Sequence, residues 1–464
     1  MKTLVVGMGK TGLSMARHLQ KRGIGGAASR RIEAADSRPN PPKAAEMRAL
    51  LGGAHCFTGA DLQKWTARKI QSFDWICASP GAPAAWIKKA EEGAPGKIIG
   101  ELFLLESGET DDEKHPARLL ITGTNGKSTA AALVAELCKA AGIDAEIAGN
   151  FGEPLLDANE RWRVCPPRVA VLELSSFQLH RKGRKGAGIG AHAAVVLNIS
   201  PDHLDSHGSF AEYARAKSRI YRRAEYCAVN LDDARAAKMA GKNQITFSVR
   251  QAADWCAEKN WITGGGMRFR RAALSPALSA ENAAAALALF SALQKKSKTA
   301  GIPLLPPKLP RHALAKTLAE FPGLPHRRQV VARLKNGAAC INDSKSTNTA
   351  SACFALRQLG GNIILIAGGD GKGQDFAPLA RECGGVKKAF LIGKDAAALQ
   401  RALLRGGAAC EIVSGMKAAV QKSVRAAKRG DKILLSPACA SLDMYENYAA
   451  RGDDFTAEIK RHAK

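Results

Sequence analysis

Aromatic residues make up only 5% of this 464-residue chain, and no basic stripe interleaved with them occurs. That excludes the usual signature of a nucleic-acid-binding surface. Long apolar runs are missing too: none approaches the roughly 18 residues that a membrane-crossing helix needs. Met1-Lys2-Thr3 leads straight into strand-like Leu4-Val5-Val6 in place of a signal peptide, so the protein is expected to be cytoplasmic. The eleven cysteines stand singly, with no Cys-x-x-Cys pair, which excludes a zinc ribbon or disulfide framework and suits a reducing compartment. Acidic residues are outnumbered, giving a net charge of +27, but the lysines and arginines are spread along the chain. Such a field attracts a nucleotide diphosphate or ATP as readily as a nucleic acid, and no nucleic-acid partner is expected.

What is present is an alanine- and glycine-rich composition, 46% hydrophobic, typical of a soluble α/β protein. The length predicts two to four domains of about 100–200 residues. The most informative stretch is Arg118 to Gly142. An apolar run, Leu119 to Ile121, enters Gly123-Thr124-Asn125-Gly126-Lys127-Ser128-Thr129 and then an alanine-rich helical segment. Glycines let successive N–H groups point at one anion, and the helix N-terminus adds a partial positive charge. Lys127 is expected to reach the β- and γ-phosphates of ATP, with a Ser128 or Thr129 hydroxyl on Mg²⁺. The loop is a shortened variant, because Ile121 stands where a standard Walker loop has its first glycine.

Upstream, Leu4-Val5-Val6 runs into Gly7-Met8-Gly9-Lys10-Thr11-Gly12 and a helical segment, with Asp36 where a dinucleotide fold carries its ribose-binding acid. A nicotinamide cofactor and a uridine diphosphate would use the same backbone amides. Ser79-Pro80-Gly81 follows another apolar strand and aims small groups at the same crevice, and Gly93 to Gly100 suggests a boundary. Downstream, Val169-Ala170-Val171-Leu172 ends in Glu173, placed to coordinate Mg²⁺ directly or through water. Another strand, Ala193 to Ile199, leads to Ser200-Pro201-Asp202-His203-Leu204-Asp205. His207 reads as a surface residue, and Lys217, in the amphipathic Ser209 to Tyr221, as an anion contact or part of a solvated face.

Together the phosphate loop, Gly149-Asn150, Glu173-Leu174-Ser175-Ser176-Phe177-Gln178-Leu179, the Asp202-His203 stretch and the following lysine resemble the Mur ligases. These are cytoplasmic ATP-dependent enzymes that extend the peptide of the cell-wall precursor. The resemblance implies that Lys217 is carbamylated and, with His203, holds a second Mg²⁺. It assigns Gly9, Thr11, Gly12, Asp36, Ser37, Arg38, Ser79, Pro80, Gly81 and Asn150 to a uridine-nucleotide substrate. Asn282 matches a family position near the adenine, whereas Glu281 and Ala285 depart from the pattern around it.

Beyond Phe321-Pro322-Gly323, three more apolar strands end in Asp343-Ser344-Lys345-Ser346-Thr347-Asn348, in Gly368-Gly369-Asp370-Gly371-Lys372 and in Ser436 to Asp443. They predict a third α/β domain with a site at its strand ends. These motifs resemble the D-glutamate-adding branch of the family. By that resemblance Arg327, Asp343 and Lys345 serve ATP and the acyl phosphate, while Thr347, Lys372, Ser441, Leu442 and Tyr448 receive D-glutamate. The whole reads as an α/β protein of three domains: a Rossmann-like substrate domain (1–98), a P-loop-type ATP domain (99–322) and a Rossmann-like C-terminal domain (323–464). The expected reaction phosphorylates the carboxylate of UDP-N-acetylmuramoyl-L-alanine with ATP and lets the D-glutamate amine attack, in a monomer. A folylpolyglutamate synthetase-like ligase and a basic P-loop ATPase acting on nucleic acid are the alternatives.

Overall fold

The computed structural model describes residues 1–24, 31–59, 62–108, 115–181, 189–275, 277–295, 304–305 and 308–462. The chain forms two compact units, 1–273 with 280–319, and 274–279 with 320–464. The described residues form three sheets, two in the first unit and one in the second.

The first sheet comprises β1 (Lys2–Val6), β2 (Arg31–Asp36), β3 (Cys56–Thr58), β4 (Trp75–Ala78) and β5 (Ile98–Ile99), all parallel, in the order β3-β2-β1-β4-β5. The chain leaves β1 toward one side and returns on the other, so a crevice opens at the carboxyl ends of β1 and β4. Gly7 closes β1 at φ +97°, and a Cβ there would lie 2.1 Å from Ser79 Oγ; the approach of the two strand ends requires glycine. The stretch Gly93 to Gly100 carries the fifth strand of this sheet.

The second sheet contains β6 (Ala117–Thr122), β7 (Ala145–Gly149), β8 (Val169–Glu173), β9 (Ala191–Val196), β10 (Ala224–Asn230), β11 (Gln244–Ser248), β12 (Trp255–Ala257), β13 (Trp261–Gly264) and β14 (Met267–Arg270). Its order is β14-β13-β12-β11-β10-β9-β6-β8-β7, parallel except for the β12–β13 and β13–β14 pairs. Covered on both faces, its parallel strands read as continuous apolar runs; every residue of β8 and β9 is buried. Each fully buried Val or Leu there contributes roughly 1.5–3 kcal/mol, which holds the strand ends still for the loops they carry.

The second unit is built on β15 (Gln329–Arg333), β16 (Ala339–Asn342), β17 (Ile363–Gly368), β18 (Val386–Ile392), β19 (Cys410–Ile412) and β20 (Lys432–Leu435), in the order β15-β16-β20-β17-β18-β19 with only β15 antiparallel. The segment Leu274–Ser279 packs with this unit, Ser275 Oγ donating to Phe321 O at 2.5 Å.

Candidate active site

Parallel pairing sets Ile121 of β6 opposite Glu173 of β8, and Glu173 opposite Gly149 of β7. That register brings the phosphate loop, the acid and Asn150 to one level. Ser128 Oγ donates to Glu173 Oε2 at 2.5 Å, and Asn150 Nδ2 donates to Glu173 Oε1 at 2.7 Å. Lys127 Nζ folds back onto its own loop, donating to the carbonyls of Gly123 (2.9 Å) and Thr124 (3.0 Å). Thr124 Oγ1 meets Tyr213 OH at 3.0 Å and accepts from Ser200 N, while Asn125 N donates to Asn198 Oδ1. Gly126 caps the helix Lys127–Ala140, whose first turn buries Ser128 and Thr129, and a Cβ on Gly126 would lie 2.5 Å from Asn282 Oδ1. Asn282 is thus brought against the phosphate loop.

Lys217 borders the phosphate loop, and two histidines, His203 and His207, flank Phe177. Lys217 does not lie on a solvated face: it is 1% exposed, and its Nζ donates to Gly123 O at 2.8 Å and Thr122 Oγ1 at 3.3 Å. The helix Phe210–Ser218 turns this side chain inward beside Tyr213, which periodicity alone does not reveal. Burial, and then the Lys127 charge, hold its amine well below the usual lysine range. His207 is likewise no surface residue. Its Nε2 lies 3.0 Å from Ser176 Oγ, its ring stacks on Phe177 at 5.4 Å, and it meets the His180 and Tyr213 rings edge-on. Burial pushes its pKa down to about 4. His203, by contrast, stays half-exposed at φ +52°, beside Asp202 and the Phe177 ring.

Glu281 lines a cavity of about 380 Å³ at the carboxyl ends of β9, β10 and β11, with Asn198, Asn230 and Asp232. It accepts from Asn230 Nδ2 at 3.3 Å, and burial raises its carboxyl above the usual range.

The crevice of the first sheet holds about 400 Å³. All ten residues assigned to a uridine nucleotide, from Gly9 to Asn150, line it. Asp36 accepts from Met8 N at 2.7 Å and from Arg38 N, Nε and Nη2. Burial alone would raise its carboxyl, but these bonds hold it below the usual range. Its oxygens therefore pin the glycine turn and aim Arg38.

In the second unit, Asp343 at the end of β16 accepts from Ser346 Oγ (2.5 Å), Ser436 Oγ (3.0 Å) and Arg328 N, and its burial raises its carboxyl. Lys345 Nζ sits 3.9 Å over the Tyr448 ring. Thr347 N donates to Lys345 O, and Lys372, at φ +52°, donates its N–H to Asp370 Oδ1. Ser441 is buried, whereas Leu442 is 65% exposed. Arg327 N donates to Leu324 O at 3.2 Å in the turn before β15.

Three family descriptions match in chain order: "Mur ligase MurD-like, N-terminal domain" over residues 1–94, "Mur ligase middle domain" over 121–290 and "Mur ligase, glutamate ligase domain" over 326–439. The UDP-N-acetylmuramoylalanine--D-glutamate ligase of Nitrosomonas europaea is 38% identical over 489 residues, covering 99% of this chain and 96% of the relative. The chain belongs to the Mur ligase family. Among solved structures, the UDP-N-acetylmuramate-alanine ligase MurC of Thermotoga maritima superposes on this Mur ligase with a TM-score of 0.58 at 16% identity, covering 99% of each chain. FolC of E. coli superposes with a TM-score of 0.54 at 18% identity, covering 75% of this chain and 89% of its own. The family is ATP-dependent, and no helix among the described residues of this Mur ligase is long and apolar enough to cross a membrane.

Two residues that shape the Mur ligase site escape the motif reading. Tyr213 buttresses Thr124 and underlies Lys217. Arg451 is fully buried and donates to Ser344 Oγ and O, Cys439 O and Gly368 O, so that it ties together the strand-end turns of β16, β20 and β17. Its one signal is spacing: it lies one helical turn after Tyr448, on the same face.

Proposed function

We propose that this Mur ligase joins D-glutamate to the alanine carboxylate of UDP-N-acetylmuramoyl-L-alanine at the expense of ATP, as a cytoplasmic monomer divided at 1–98, 99–322 and 323–464. The observation that carries the reading is Asn150, which lines the substrate crevice and also donates to Glu173. Asn150 thus joins the crevice to the acid that Ser128 of the phosphate loop also meets. The 38% identity to a named D-glutamate ligase over nearly the full chain supports the choice of amino acid.

A carboxylate is a poor electrophile, and phosphorylation supplies the leaving group that its oxygen lacks. Lys127, swinging from its loop carbonyls, and the N–H groups at the start of the helix Lys127–Ala140 take the charge on the transferring phosphate. Ser128 and Glu173 supply hard oxygen donors at 2.5 Å from each other. That donor set suits Mg²⁺, which takes one or two carboxylates and fills its shell with phosphate oxygens and water. Bound there, it would neutralise charge on the phosphates. The depressed amine of Lys217 suits carbamylation: a neutral nitrogen attacks CO₂, a C–N bond forms, and one proton leaves to solvent. The resulting carboxylate, with His203, would hold a second Mg²⁺. Asn282, Arg327, Asp343 and Lys345 are assigned to the nucleotide and acyl phosphate. Thr347, Lys372, Ser441, Leu442 and Tyr448 are assigned to D-glutamate, whose carboxylates need cationic and hydroxyl donors.

The test is release of phosphate from ATP by the purified chain with magnesium. Release must require both the uridine precursor and D-glutamate. Lys127→Ala should lower it by at least ~100-fold while precursor binding, measured by titration calorimetry, persists. Turnover retained by that variant, or release that DNA or RNA stimulates, overturns the assignment.

A further inference from the structure

Arg181 has no part in the chemistry above, yet it is buried, 6% exposed, and among the described residues no acid offsets its charge. Burial alone brings its pKa down to about 10. Desolvating a guanidinium without a carboxylate is unfavourable, and a methionine would fill similar space without that penalty. Stability therefore does not account for the residue, and its bonds suggest what does. Arg181 Nη1 donates to Ala78 O at 3.2 Å and to Ser79 O. These carbonyls end β4, where Ser79, Pro80 and Gly81 line the substrate crevice.

The other end of the same segment is the phosphate centre. Glu173 closes β8, Ser175 caps the helix Ser176–His180 through a capping box with Gln178, and Arg181 follows as its C-cap. Gln178 Nε2 donates to the buried Glu101 at 2.9 Å, which fixes the segment midway. Arg181 also lies over the Phe177 ring at 5.5 Å and packs so closely on Gly100 that a Cβ there would sit 2.8 Å from its carbonyl oxygen. One short rigid piece therefore bears the acid at its start and a clamp on the crevice at its finish.

We propose that Arg181 is a positioning residue that sets the distance between the Ser79-Pro80-Gly81 turn and Glu173, and so the reach of the crevice-bound substrate's carboxylate toward the transferring phosphate. The idea rests on the ligase reading, in which that carboxylate must travel from crevice to phosphate loop. Misplacement of a reacting group by about 1 Å costs on the order of 100-fold in rate, whereas the precursor keeps the side of the crevice formed by Gly9, Thr11, Gly12, Asp36, Ser37 and Arg38, which Arg181 does not touch.

The experiment compares wild type, Arg181→Met and Arg181→Lys by steady-state kinetics, by calorimetric Kd for the uridine precursor and by thermal unfolding. Arg181→Met should lower kcat by at least ~10-fold while Kd stays within about threefold, and Arg181→Lys, whose ammonium still donates to both carbonyls, should recover part of kcat. A methionine variant with wild-type kcat, one whose Kd weakens at unchanged kcat, or one altered only in melting temperature overturns the proposal. Should the methionine variant fail to fold, Arg181→Lys is judged by the same kcat-against-Kd split, with an intermediate kcat expected. A wild-type chain that does not release phosphate with both substrates refutes the ligase reading itself, and so is distinguishable from failure of the clamp.

Discussion

His207, held between Phe177, His180 and Tyr213, shows how much of a residue's chemistry its neighbours decide. Its pKa is pushed down to about 4 by burial, and that of His18 likewise to about 4 by burial and Arg22. The unfolded chain takes up these two protons near pH 6.5, whereas the native chain refuses them until near pH 4. Stability is therefore unaffected by these groups above about pH 6.5 and falls as pH drops from there toward 4. At pH 5 the loss should be roughly 2 kcal/mol per histidine. Urea unfolding at about pH 7.5 and pH 5 checks this, and His207→Gln should shift the difference by roughly 2 kcal/mol in favour of the acidic side. Nothing in the local sequence marks His207 or Lys217 as buried. Their cover comes from residues far along the chain, Ser176 and Phe177 for one and Thr122 and Gly123 for the other.

Elements are where the sequence was most readable, because strand, glycine turn and helix N-terminus are specified by adjacent residues. The apolar run before Gly123 forms β6, and Lys127 opens a helix, as the composition predicts. The strands ending at Glu173, Asn342, Gly368 and Leu435 follow the same logic. What adjacency cannot supply is long-range bonding: Arg451 joins turns at Ser344, Gly368 and Cys439, and Arg181 grips Ala78 and Ser79 from another sheet's loop. Gly126 combines both kinds of information. As the N-cap at φ +82° it offers no side chain to the first N–H groups of the helix, so they remain available to an anion. Gly126→Ala meets a left-handed backbone costing about 1 kcal/mol and a collision with Asn282 Oδ1 at 2.5 Å. The helix itself is anchored by buried Leu133, Val134 and Leu137, so the fold should persist. The expected outcome is a Kd for ATP at least ~10-fold weaker, read by calorimetry, with precursor binding unchanged. Wild-type ATP affinity in the alanine variant would mean that this loop does not cradle the phosphates.

At the scale of the whole molecule the excess of cations is the dominant property, and pairing does not absorb it. Several acids are already engaged by more than one cation: Glu33 by Lys2, Arg31 and Lys69, Glu160 by Lys21 and Arg22, Glu411 by Lys388 and Lys422. With 69 lysines and arginines against 42 acids, a net +27 remains as a field around the protein. Under the proposed reaction ATP, the uridine precursor and D-glutamate are all anions, so this field should speed encounter without touching the chemical step. The Debye length falls from about 10 Å at 0.1 M salt toward about 3 Å at 1 M. Raising ionic strength from about 50 to about 300 mM should therefore lower kcat/KM for ATP and the precursor several-fold while leaving kcat within about twofold. Sucrose of matched viscosity serves as the control for diffusion. If kcat/KM stays flat across that range, the field does not steer substrates; if kcat falls in parallel, salt is acting within the site, on bonds such as those Lys127 makes.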